Sequence, residues 1–190
     1  MLYLDDGGNR AHSAVDKFEE ALLELVEKKP LNKITVQNIL DHGGMSRQTF
    51  YRKFRDKQDL VNAIYRDHVA TSWTGRGFDI DSYYANVDLG SRILYHEKFL
   101  REAFREEGIN SIENYIAQYY VGWYERNLIA IGQEVTPQMH MVIQHAAWGT
   151  AKMSRYWVEQ LRMPKPEQIA EDLMITRPVQ LERMYRQKKG

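Results

Sequence analysis

The sequence contains no cysteine, which excludes disulfides, thiolate metal ligands and cysteine nucleophiles. That composition suits a reducing compartment, and a cytoplasmic protein is expected. No apolar run approaches the roughly eighteen residues a membrane span needs. The opening MLYLDDGGNR lacks the apolar core of a secretory leader, so no membrane partner is expected. Internal repeats, low-complexity tracts and strand-like alternation of apolar and polar residues are all missing. So is an excess of either charge, because 26 Lys and Arg balance 26 Asp and Glu. Any footprint on a polyanion must therefore be local. Catalytic chemistry has little foothold: no Ser-His-Asp, phosphate-loop or metal-ligand motif occurs, so no enzyme activity, cofactor or metal is expected. His96 beside Glu97, and His140 with His145, come nearest to a ligand set. A spacing of five keeps the second pair off a common helix face, and no third ligand lies near in sequence.

What the chain has in quantity is aromatic bulk and helical periodicity. Its 4 Trp, 12 Tyr and 6 Phe fall mostly after residue 70 and can build a core without covalent staples. The patterns define an all-α protein of about nine to ten helices. Ser13, with Asp16 three residues on, opens a first helix carrying Val15, Phe18, Leu22, Leu25 and Val26, which ends at Lys28-Lys29-Pro30. A fourth helix starts after Asp56 and runs to about Val69. Residues 71–81, TSWTGRGFDID, form the clearest boundary, dividing a head (1–70) from a body (71–190). In the body, helices are expected over about 82–94, 97–106 and 111–130. Thr136-Pro137 then starts a helix to about Leu161, Pro166 another to Ile175, and Val179 a basic last one.

The most informative stretch is Thr35 to Leu60, TVQNILDHGGMSRQTFYRKFRDKQDL. Thr35 caps a short helix with Ile39 and Leu40 on its apolar side, and His42-Gly43-Gly44 breaks it. Ser46 caps the next helix, with Met45 and Phe50 at the spacing of a hydrophobic staple. Phe50 and Phe54, four apart, give that helix a narrow apolar face. Around them are Arg47, Gln48, Thr49, Tyr51, Arg52 and Lys53, all polar or cationic. From Arg47 to Lys57 there are five cations (Arg47, Arg52, Lys53, Arg55, Lys57) and one anion, Asp56. A short helix so anchored suits a DNA major groove: Arg reads guanine, Gln adenine, Thr a thymine methyl, and Tyr and Lys hold phosphates. Lys57 opens the following helix, where a cation opposes the helix dipole unless a phosphate is bound there.

The run T-V-x-x-I-L…G-G-M-S-R-Q-T-F-Y-R-K-F-R-D-K-Q-D-L resembles the N-terminal helix-turn-helix of TetR/AcrR-type transcriptional regulators, with a good match over residues 13–70. The resemblance implies backbone contacts from Thr35, Tyr51 and Lys57, and base or groove contacts from Arg47, Gln48, Thr49 and Arg52. Gln37, Lys53 and the capping Ser46 complete the implied DNA-binding set. It also implies a divergent helical body for ligand binding and dimerisation, so the expected partners are operator DNA, a second copy of the chain and a small-molecule effector. A relative acting as a co-regulator through protein contacts is the alternative, although such a protein would be expected to lose the cationic face. In the body, Ala147, Thr150, Ala151, Ser154 and Val158 form a line of small or slim residues expected at a dimer interface. Tyr95, Phe99, Tyr119 and Trp123 are expected to line an effector pocket.

Overall fold

The computed structural model describes residues 13–71 and 83–186. Readings that fall on residues 1–12, on the 72–82 boundary with Trp73 and Phe78, and after Arg186 lie outside the described residues. Among the described residues there are ten α-helices and no strand.

Local capping chemistry sets the helix starts. Ser13 accepts from the Asp16 N–H at 3.2 Å, and Asp16 accepts from the Ser13 N–H at 2.8 Å, opening α1 (Ala14–Val26). Thr35 and Asn38 repeat this reciprocal cap before α2 (Val36–Gly43). Gly44 follows at φ 63°, a left-handed conformation that ends α2 without steric penalty. Ser46 caps α3 (Arg47–Lys53), and Asp56 caps α4 (Lys57–Ile64). Asp59 makes no reciprocal bond to Asp56: its carboxylate takes the Arg55 N–H at 3.0 Å. α4 then continues through a π-helical stretch, Tyr65–Ala70.

The body consists of α5 (Tyr83–Tyr95), α6 (Glu97–Ala103), α7 (Ile112–Ala130), α8 (Pro137–Glu159), α9 (Pro166–Ile175) and α10 (Val179–Arg186). Thr136-Pro137 and Pro166 start α8 and α9 as the proline signal requires. The broadest packing joins α7 to α8 and α5 to α9. Of the line of small residues on α8, Ala147, Ala151, Ser154 and Val158 are buried within the single chain and Thr150 is half-buried.

Three phenylalanines hold the head together. Phe18 of α1 meets Phe50 edge-on at 5.2 Å and Phe54 at 5.9 Å. Met45, half-buried, packs against the same core. Polar links join head to body: the Leu31 N–H donates to Glu102 (3.0 Å), the Lys98 ammonium donates to the Glu27 carbonyl, and Tyr65 OH donates to Tyr120 OH at 3.3 Å.

A pH-sensitive cluster lies at this junction. Glu19, 4 % exposed, has one oxygen 2.9 Å from His68 Nε2, and its other oxygen has no hydrogen-bond partner. The hydrogen bond to Glu19 raises the His68 pKa above its usual value. His96 packs edge-on against His68 at 5.5 Å, and burial followed by the nearby His68 charge pushes its pKa down to about 4. Arg92 donates to the His68 carbonyl at 3.2 Å and faces Asp88, while Asp67 also lies in the field of His68. The two histidines have opposite linkage. His68 contributes stability that is complete below its unfolded value, about 6.5, and fades as pH rises through the higher folded value. His96 contributes stability present above about 6.5 and lost as pH falls towards its folded value. His68→Gln is therefore expected to flatten the alkaline side of a plot of Tm against pH, and His96→Gln the acid side. Circular dichroism melts of both variants check this, and two unchanged profiles would contradict it.

Candidate nucleic-acid interface

α3 is too short to hold its shape alone, and the neighbouring core fixes its orientation. Phe50 is fully buried, so the opposite side of the helix must face outward. Arg47, Gln48, Tyr51, Arg52 and Lys53 are exposed, with Ser46 beside them and Thr49 half-buried. Tyr51 is 49 % exposed and stands edge-on to Phe50 at 5.4 Å, which orients its phenol without hiding it.

Internal partners divide the residues singled out from sequence into three groups. Gln48, Arg52 and Lys53 make no hydrogen bond among the described residues and are available to a ligand. A second group is braced on the same surface. The Arg47 guanidinium donates to Gln37 Oε1 at 2.8 Å, and Gln37 Nε2 donates to Asp41 at 2.7 Å. Ser46 Oγ and Thr49 Oγ1 lie 2.8 Å apart, and Thr35 accepts the Asn38 N–H. This chain links α2 to α3 and holds Arg47 in one pose. Asp41 was missed in the sequence, although its place four residues after Gln37 on one helix is a readable signal.

Lys57 stands apart from both groups. Its ammonium donates to the Leu31 carbonyl at 2.8 Å and lies 3.5 Å from Glu106, and the side chain is 20 % exposed. In this conformation it ties α4 to the loop before α2 and to the segment after α6. Glu106 lies 49 residues away, beyond the reach of any local pattern.

The residues expected to line an effector pocket do not converge. Tyr95 is 85 % exposed beside buried Phe99, at a shallow dent shared with Leu23 and Lys98. Tyr119 stacks on Tyr115 at 6.1 Å, and Trp123 is buried. The cavity of the body is lined instead by Tyr120 and Tyr124, one position further along α7. His140 takes Glu125 as a partner at 2.7 Å, and no three metal-ligating side chains converge among the described residues. Among the described residues no helix is long and apolar enough to cross a membrane.

A capped helix pair with a glycine turn, its second helix seated on phenylalanine and cationic outside, defines a helix-turn-helix DNA-binding head on an all-helical body. Residues 20–64 match the family described as "Bacterial regulatory proteins, tetR family", which covers the second half of α1 and all of α2, α3 and α4. The head is thus similar to that of the tetR family, and an all-helical body follows it. The fold of the chain is similar to that of the dihydroxyacetone kinase operon activator DhaS, with a TM-score of 0.61 and 13 % identity over 88 % of this chain and 96 % of that one. It is also similar to the TetR family repressor AlkX from Dietzia sp., implicated in biodegradation of n-alkanes (TM-score 0.56, 15 % identity, 94 % of this chain and 100 % of that one). A third similar structure is a TetR transcriptional regulator from Streptococcus agalactiae (0.55, 15 %, 85 % and 92 %). At these identities the likeness is one of fold. No curated protein sequence matches the chain.

Proposed function

We propose that the protein is a homodimeric repressor that binds a near-palindromic operator and is released from it by a small molecule. The observation that carries the DNA reading is the outer side of α3, where Gln48, Arg52 and Lys53 are exposed and unpartnered around a fully buried Phe50. Gln48 and Arg52 would read base edges. Lys53 and the Tyr51 phenol would hold phosphates, and the Arg47–Gln37–Asp41 brace would keep the groove face rigid. Lys57 would reach a phosphate after leaving Glu106.

Dimerisation is supported by apolar surface on the other side of α8 from the small-residue line and at its end. Met141 is 67 % exposed, Tyr156 62 % and Leu161 100 %, and Ile175 at the end of α9 is 84 % exposed. Exposed apolar side chains of this size are candidates for contact with a second copy. A twofold dimer would set two α3 helices against successive major grooves, about 34–36 Å apart. The similar structures include an activator and a repressor by name, and repression here is the reading for an operator that overlaps a promoter.

Selection of bound duplexes from a random pool, with light scattering for mass, tests this. A dimer that enriches two inverted half-sites about one helical turn apart is expected. Gln48→Ala and Arg52→Ala should each relax base preference by about 1–3 kcal/mol at one position of each half-site. A monomer that enriches no motif would overturn the proposal. A dimer that enriches none would leave the co-regulator reading, in which the same fold works through protein contacts.

A further inference from the structure

Lys57 stands at the first position of α4, where the positive end of the helix dipole disfavours an ammonium. Two oxygens offset that placement. The Leu31 carbonyl accepts from its ammonium at 2.8 Å, and a Glu106 carboxylate oxygen lies 3.5 Å away. The two partners differ in what they lose if Lys57 leaves. The carbonyl also accepts the Ile34 N–H at 3.0 Å, so it keeps a hydrogen bond. The Leu31 N–H is held separately by Glu102, so the turn stays anchored to α6. Glu106 is the partner of opposite charge, and its pair with Lys57 is half-buried, where salt screens it less than at the open surface.

A DNA phosphate at the start of α4 asks for the same ammonium. If Lys57 swings out to meet it, the pair with Glu106 breaks. If Lys57 stays, the phosphate must approach an ammonium that already has a carboxylate 3.5 Å away, and the two anions repel each other. Both geometries set Glu106 against the duplex.

We infer that Glu106 is an autoinhibitory counter-charge: it holds Lys57 against the body and competes with a DNA phosphate for its ammonium. The inference rests on the reading of Lys57 as a phosphate ligand of the head. An ion pair near the surface is worth up to about fivefold in an equilibrium, and each head of a dimer would have one to give up. A carboxylate of the body thereby sets how tightly the head binds.

Fluorescence anisotropy of a labelled duplex taken from the selection, titrated with the full chain at fixed salt, is the test. Glu106→Gln is expected to bind at least about threefold more tightly than the wild type. Glu107 is exposed and next in the chain, so Glu107→Gln makes the same change of net charge without removing the pair, and its gain should be clearly smaller. In a Lys57→Gln background, Glu106→Gln should add no more than Glu107→Gln does. Unchanged far-ultraviolet circular dichroism shows that the variants fold. No gain for Glu106→Gln, an equal gain for Glu107→Gln, or a gain that persists without Lys57 would overturn the inference. The wild type binds the duplex in each of those results, so they leave the DNA reading standing. A selection that yields no duplex removes that reading and this inference with it.

Discussion

Phe50→Ala is expected to destabilise the head by about 3–5 kcal/mol and to abolish DNA binding. The ring is fully buried, meets Phe18 at 5.2 Å and Phe54 at 5.5 Å, and is the one residue through which α3 is seated in the core. Its removal leaves a cavity beneath a seven-residue helix that has no stability of its own. The lost burial and the freed helix therefore add in the same direction. The body supplies an internal control, because buried Trp123 and Trp157 both report on it. Chemical denaturation followed by tryptophan fluorescence and by circular dichroism should show an early loss of helix with body fluorescence retained. Tyr51→Ala, at a site 49 % exposed, should leave stability within about 1 kcal/mol while weakening DNA binding. If Phe50→Ala shifts the head by no more than Tyr51→Ala does, the phenylalanine seat is not what holds α3.

The second large effect concerns α5 against α9. A Cβ on Gly90 would lie 2.9 Å from the Cα and the carbonyl oxygen of Pro166, and 3.2 Å from Ile169 Cβ. Two of these neighbours are backbone of a helix start and cannot swing aside. Alanine in place of glycine would gain up to about 1 kcal/mol of helix propensity. Overpacking against fixed atoms costs about 1–3 kcal/mol and wins. Gly90→Ala is thus expected to lower stability, and Gly90→Val to separate α9 from α5 and lower it further. Gly122→Ala is the matched comparison. The close neighbour there is the tip of the Arg126 side chain, which can move, so the propensity gain should survive as a small stabilisation. Urea midpoints of the three variants decide the matter, and equal shifts for Gly90→Ala and Gly122→Ala would contradict this packing.

Features written in consecutive residues were legible in the sequence. Ser13, Thr35, Ser46 and Thr136 each cap the helix expected of them, because an N-cap is a contact over three positions. Gly44 adopts the positive φ that its turn required. The Phe50 and Phe54 anchor and the outward cationic face follow from helical spacing, which is why the head was readable almost residue by residue. Contacts between distant parts of the chain were not. Nothing near Lys57 announces Glu106, and nothing near Glu19 announces His68. The small-residue line on α8 shows that two helices approach closely, but both an internal partner and a second copy satisfy that pattern. Tyr120 and Tyr124, which line the cavity in the body, stand one step along α7 from Tyr119 and Trp123, and a helix aromatic nearly all round offers no apolar phase to read.

The most direct test of the central claim, that the outer side of α3 enters the groove of duplex DNA, is the affinity for a selected operator measured across a series of salt concentrations. If the dimer neutralises about eight phosphates, log K should fall linearly with log salt at a slope near −7, and Lys53→Ala should make that slope shallower by about one per half-site. An affinity that does not change with salt, or a slope that Lys53→Ala leaves untouched together with an unaltered affinity for Arg52→Ala, would contradict it.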